Sequence, residues 1–261
     1  MPDLKPIPGK FVWFEHVSKE PRKAQAFYGE VLGWKVAQVP MGNATYDMIL
    51  TGEKLDTMIG GYDTPEKGQG PHWISYVSVE DVDATAKAAA ANGGKIVEAP
   101  HDIPTVGRTA RIADPQGGEI CPFKSNAGDP PDVLDAPGSV FCWNELHTSD
   151  PGRALSFYEK VLGFSHRSQD MGPSGKYHIL SRGGVERGGV FGDVPPGTSA
   201  NWLPYVLTAD ADSTANRARK LGATMCVDPA DIPGVGRFAV FTDPTGASLA
   251  ILQPLPREKQ G

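Results

Sequence analysis

A chain of 261 residues with 39% hydrophobic side chains has material for one large domain or two of ordinary size. A formal charge of −6 and a pI near 5.5, with no Lys/Arg cluster, argue against nucleic-acid or anionic-membrane partners. The opening MPDLKPIPGK has no apolar signal core, no stretch approaches bilayer-spanning length, and Cys121, Cys142 and Cys226 are odd in number and scattered, so a cytoplasmic setting with reduced thiols is expected.

Along the chain, residues 11–17 alternate as a half-buried strand does. Glu20-Pro21-Arg22 opens a helix, with Ala24, Phe27, Tyr28, Val31 and Leu32 at three-to-four spacing and Gly33 closing it. Residues 38–45 read as a loop, and residues 46–50 and 55–62 as short strands around TGEK. A second start follows, with a strand over 72–79 and a helix over 82–92 closed by Gly93-Gly94. Strands near 95–99, 108–113 and 118–123 complete it, and the Pro/Gly/Asp-rich KSNAGDPPDVLDAPGS has linker composition.

The same order then returns, with 169–176 as a counterpart loop. DIPTVGRTARIADPQG, from Asp102, and DIPGVGRFAVFTDPTG, from Asp231, agree at 10 of 16 positions. WFEHVSKEPRKAQAFYGEVLGW, from Trp13, and WNELHTSDPGRALSFYEKVLGF, from Trp143, agree at 9 of 22. HWISYVSVEDVDATAKAAAANGGK, from His72, returns from Asn201, and every echo is displaced by 129 or 130 residues. One duplicated unit of that length accounts for the constant spacing.

The FYxxVLG helix end and the GR…DPxG turn, each written twice, resemble the vicinal oxygen chelate superfamily of glyoxalase I, extradiol dioxygenases and bleomycin-resistance proteins. The resemblance implies an α+β fold of four βαβββ modules forming two glyoxalase/bleomycin-resistance-like domains, each with a cleft between curved mixed sheets. Residues 1–124 are expected as the first domain, 125–138 as linker and 139–261 as the second. Internal duplication mimics a dimer of two-module proteins, so a monomer or weak homodimer is expected, binding a small molecule.

Metal-dependent members supply His, Gln or Glu from the first strands and Glu from the last. The matching positions hold Trp13, His72 and Cys121 in one copy, and Trp143, Asn201 and Ala250 in the other. Indole and methyl groups bind no divalent cation, so no cofactor is expected. The alternative is a displaced centre for Fe, Mn, Ni or Zn around Glu15, His72, Glu119 and Cys121, since residues two apart on a strand share a face. Glu15 and Glu145, each beside an indole, are candidates for acid–base catalysis or ligand contact. Trp13 and Trp143 offer flat walls for a planar ligand, and His72, Tyr76, Cys121, Asn201 and Tyr205 share the expected cleft face. Trp73 and Trp202, of opposite parity, are expected under helices, and His147 and His178 at the rim. Arg108 and Arg237 are expected to pair with Asp102 and Asp231, or with Asp114 and Asp243. The expected function is binding of an aromatic or amphipathic molecule without the usual metal centre. The alternatives are a metal-dependent lyase or dioxygenase and a cofactorless enzyme using Glu15 or Glu145.

Overall fold

The structure is a computed structural model that describes residues 5–41, 44–66, 68–132 and 138–256. It repeats strand, helix and three strands four times. The first module runs β1 (Phe11–Val17), α1 (Pro21–Leu32), β2 (Lys35–Met41), β3 (Ala44–Leu50) and β4 (Met58–Asp63). The second is β5 (His72–Ser78), α2 (Val82–Ala91), β6 (Lys95–Ile103), β7 (Gly107–Ala113) and β8 (Glu119–Ser125). The third is β9 (Phe141–His147), α3 (Pro151–Leu162), β10 (Ser165–Asp170), β11 (Lys176–Arg182) and β12 (Val185–Phe191). The fourth is β13 (Asn201–Leu207), α4 (Ala211–Lys220), β14 (Thr224–Ile232), β15 (Gly236–Thr242) and β16 (Ser248–Pro254).

Local chemistry accounts for the helices. Asp81, Asp150 and Asp210 each accept an amide of the first turn of α2, α3 and α4, so orphan N–H donors are satisfied. Gly33 and Gly163 close α1 and α3 in the left-handed conformation, at φ 74° and 65°. Hydrogen bonding orders the strands β2-β3-β4-β1-β5-β8-β7-β6 and β10-β11-β12-β9-β13-β16-β15-β14. Within each module the first and last strands pair parallel, as β1 with β4 and β9 with β12, while the hairpin strands pair antiparallel. The helix between first and second strands permits that parallel pairing.

Some expectations change. Gln38 and Pro40 lie in β2 and Thr45 in β3, so most of 38–45 is a β-hairpin; residues 42 and 43 lie outside the described residues. β2 alternates only between exposed and half-buried positions and contains a proline, which weakens the strand signal. Gln169 and Asp170 likewise belong to β10, and Lys176 opens β11. Residues 55–57 form a 3₁₀ turn before β4. In the linker-like stretch, Lys124 and Ser125 end β8, and residues 133–137 lie outside the described residues.

Packing divides the chain into two compact units: residues 1–14, 74–133 and 143–203, and residues 15–73, 134–142 and 204–261. In the first unit α2 and α3 pack on each other. Their buried Ala86, Ala89, Phe157, Tyr158 and Leu162 join Ile112, Ile120, Leu146 and Leu180 from the strands. Each such large apolar side chain contributes about 1.5–3 kcal/mol on burial. Asp129 is also buried here, accepting from the Ile7 amide at 2.6 Å and from Ser78 Oγ at 2.5 Å. In the second unit α1 packs on α4, and Phe27 meets Phe241 edge-on with ring centroids 5.9 Å apart.

Candidate functional site

Strand alternation sets the geometry of β9. Asn144 and Leu146 are buried at 0% exposure, which leaves Trp143, Glu145 and His147 on the opposite face. Glu145 lies opposite Gly189 of the parallel strand β12, and Tyr177 projects from the next strand, β11. A Cβ at position 189 would overlap the Tyr177 hydroxyl, so glycine opens the slot through which this ring crosses β12. Trp143 Nε1–H donates to Tyr177 Oη at 2.8 Å, and the Tyr177 hydroxyl is hydrogen-bonded to Glu145. Burial first, and then the Glu145 charge, hold the Tyr177 phenol far above its ordinary pKa, so it stays a donor.

His147 extends this chain. Its Nε2 is 3.0 Å from Glu145 Oε1, and its Nδ1 is 2.7 Å from Asp193 Oδ2. Burial opposes the charged ring, yet hydrogen bonds and attraction from Asp193 and Glu145 outweigh it and push the imidazole up to about 9.

The first module repeats the core of the device within its own unit. Glu15 of β1 lies opposite Gly61 of β4, and Tyr46 of β3 donates to Glu15. A Cβ at position 61 would again overlap the tyrosine hydroxyl. Val17 occupies the place on β1 that His147 occupies on β9. Sequence reasoning passed over Tyr46, Tyr177, Gly61, Gly189 and Asp193. The available signal was the recurrence of tyrosine and of Gly-Gly at nearly the spacing of the duplication.

The remaining candidates are spread out. Trp13 is half-buried on β1, two residues before Glu15. His72 opens β5 with Nδ1 2.8 Å from the Gly70 carbonyl. Tyr76 stacks edge-on with Phe123 at 6.1 Å and is the register partner of the buried Cys121. Asn201 is exposed, whereas Tyr205 is buried beside Ala250 in register. Glu119 lies 3.8 Å from Arg111 Nε. His178 is partly exposed, with Nδ1 2.8 Å from Ser168 Oγ. Trp73 and Trp202 are buried and donate to Tyr28 and Tyr158 at 3.3 and 3.0 Å.

Arg108 pairs with Asp102 at 2.9 Å and, beyond expectation, with Asp83 in the first turn of α2 at 2.6 Å. Arg237 repeats this with Asp231 at 3.0 Å and Asp212 at 2.5 Å. Asp114 and Asp243 serve another purpose. Each accepts backbone amides of its own DPxG turn and the hydroxyl of a buried helix tyrosine, Tyr158 or Tyr28.

Do these residues fit the metal centre of such a fold? Trp143 spends its indole N–H on Tyr177, Ala250 offers a methyl group, and Asn201 offers only an amide. At the displaced alternative, Glu15 accepts from Tyr46, and the His72 imidazole lies against a backbone carbonyl. Among the described residues, no three His, Cys, Asp or Glu side chains are grouped as metal ligands. The donor set does not fit.

The four-module topology and its repeated first-strand site define the class. The chain belongs to the Glyoxalase/Bleomycin resistance protein/Dioxygenase superfamily, which it matches over residues 10–121 and 143–251. It is 34% identical over 249 residues to CFP32 of Mycobacterium bovis, whose name assigns it provisionally to the glyoxylases; the match covers 94% of this chain and 95% of that one. Anthracycline biosynthesis protein DnrV of Streptomyces peucetius is 30% identical over 265 residues, covering 94% of each chain. Among solved structures, the Mn(II)-bound glyoxalase from Novosphingobium aromaticivorans superposes with TM-score 0.67 at 17% identity, covering 95% of this chain and 83% of that one. The 2,2',3-trihydroxybiphenyl 1,2-dioxygenase from Sphingomonas wittichii strain RW1 gives 0.63 at 13% identity, covering 98% and 94%. These two structures share the fold. Among the described residues, no helix is long and apolar enough to cross a membrane.

Proposed function

We propose that this chain is a small-molecule-binding protein for planar, hydroxyl-bearing aromatic ligands, working without the metal centre of its metal-dependent relatives. The observation that carries this reading is the tyrosine–glutamate pair built twice through a glycine slot, Tyr177–Glu145 and Tyr46–Glu15. A carboxylate braced by a buried phenol is a fixed acceptor for a ligand hydroxyl, and Trp143 beside it supplies a flat apolar wall. Trp13 stands in the corresponding place on β1. The name of the DnrV relative, anthracycline biosynthesis protein, supports a polycyclic aromatic ligand class.

The competing reading is a metal-dependent enzyme, favoured by the manganese named for one structural neighbour. Elemental analysis of protein purified without added metal separates the two. Sub-stoichiometric Fe, Mn, Ni and Zn, together with tryptophan quenching by hydroxyanthraquinones that persists in EDTA, is expected. A stoichiometric metal that EDTA removes along with ligand binding would reverse the conclusion.

A further inference from the structure

The third module adds to the tyrosine–glutamate device something the first module lacks at the corresponding strand position, a histidine where β1 has Val17. His147 lies between two carboxylates, 3.0 Å from Glu145 and 2.7 Å from Asp193. Its side chain is 17% exposed and that of Glu145 10%, so little water screens this pair, whereas Asp193 at 37% faces solvent. Hydrogen bonding converges on Glu145. Trp143 donates to Tyr177, Tyr177 is bonded to Glu145, and the imidazole edge flanks the same carboxylate. His147 Nε2 nevertheless makes no well-directed hydrogen bond, although it is buried. The ring therefore acts on Glu145 through both close contact and charge, with Asp193 anchoring its far side. The charged and titratable groups bearing on His147 are Glu145 on β9 and Asp193 after β12, with Tyr177 of β11 acting through Glu145.

Such an arrangement can move a negative charge a short way without losing its counter-ion. When a ligand hydroxyl hydrogen-bonds Glu145, its O–H bond can break and an O–H bond form on the carboxylate. The electron pair then stays on the ligand oxygen, and the total charge of the site is unchanged. A fixed cation a few ångströms away stabilises the new oxyanion as it did the old.

We propose that Glu145, His147 and Asp193 form a charge-compensated proton acceptor in the third module, which selects acidic hydroxyl compounds, phenols or enols conjugated to a carbonyl, and binds them ionised. Glu145 receives the proton, and His147 and Asp193 are positioning residues. This rests on the aromatic-binding reading above and specifies the ligand class for one of the two repeats.

The test uses the full chain and alizarin, a planar dihydroxyanthraquinone whose ionised form absorbs at longer wavelength than its neutral form. Tryptophan quenching reports binding, and visible absorbance reports ionisation, below the pH at which free dye ionises. The wild type is expected to quench and to show the long-wavelength band, with the dye's ionisation constant raised roughly tenfold, equivalent to one pKa unit. Glu145→Gln is expected to weaken quenching and to lose the band, His147→Gln to lose the band while still quenching, and Glu15→Gln to weaken quenching at the first module while keeping the band. Quenching by wild type without the band would overturn this inference and leave the binding reading standing. A band that survives in both third-module variants, or vanishes in Glu15→Gln, would overturn the assignment. Absence of any quenching would overturn the binding reading and this inference with it. Should His147→Gln fail to fold, Asp193→Asn carries the same expectation, with a partial loss of the band.

Discussion

His16 Nε2 lies 2.8 Å from Asp243 Oδ2, and both side chains are wholly excluded from solvent. Burial works against the Asp243 charge, but the bonds from His16, Thr245 and Tyr28 overcome it and hold this carboxylate below its ordinary value. In the other unit Leu146 takes the place of His16 on its strand, and Asp114 is held above its ordinary value by burial, its amide and Tyr158 bonds compensating only in part. Replacing His16 by leucine therefore tests what the histidine adds. His16→Leu is expected to lower stability by about 3–5 kcal/mol in urea unfolding, since one partner of a buried pair is removed. The sign of the pH effect follows. With its folded value depressed, Asp243 stabilises above the unfolded value of 3.8, and that stability is lost as pH falls through the folded value. The variant is expected to begin acid unfolding at higher pH than the wild type.

The glycine slots predict a steric rather than a conformational effect. Gly189→Ala pushes a methyl group into the Tyr177 hydroxyl, and Gly61→Ala does the same to Tyr46. Neither glycine has a positive φ, so the backbone itself tolerates alanine. Each substitution is expected to cost about 1–3 kcal/mol by overpacking and to weaken aromatic ligand binding at its own module. Pairing Gly189→Ala with Tyr177→Ala should restore the stability lost to overlap but not the binding. Calorimetry on the single and double variants measures both quantities.

His147 gives a second pH signature with the opposite sign. Its folded value is raised from 6.5 to about 9, so its contribution is complete below 6.5 and disappears as pH rises through about 9. Thermal melts of the wild type are expected to fall across that window, and melts of His147→Leu to be flatter there. Parallel curves would show that the two carboxylates do not depend on the ring.

Asp129 predicts a tether. Its carboxylate accepts from the half-buried Ile7 amide and the buried Ser78 Oγ, while Lys10 reaches the Pro130 carbonyl at 2.7 Å and Asp132 at 3.3 Å. Asp129→Ala leaves the buried Ser78 hydroxyl and the half-buried Ile7 amide without this acceptor and is expected to cost about 1–3 kcal/mol. Limited proteolysis should then cut before Phe11 faster than in the wild type.

Much of the fold was legible because apolar periodicity and punctuation carry it. The α1 face of Ala24, Phe27, Tyr28, Val31 and Leu32 is the buried face, and Gly33 ends the helix. Trp73 and Trp202 went under the helices as their strand parity required. β10 was missed because an edge strand exposed on both faces leaves no alternation to read, and β2 because its half-buried Ala37, Val39 and Met41 alternate weakly with exposed residues that include Pro40. At the site, strand parity grouped Glu145 with Trp143, but Tyr177 and Gly189 come from different strands, and their meeting depends on register. Asp83 and Asp212 were invisible as arginine partners for the same reason, lying 25 residues from Arg108 and Arg237.

The pairing of α1 with α4 has a consequence for synthesis. α1 ends at Leu32 and α4 begins only at Ala211, so the ribosome delivers the apolar face of α1 long before its partner exists. Closing so long a loop is entropically slow, and the nascent chain must keep that face sheltered or bury it provisionally elsewhere. Domain-by-domain folding during translation is therefore closed to the unit that holds both α1 and α4, which completes its core only once the fourth module has emerged.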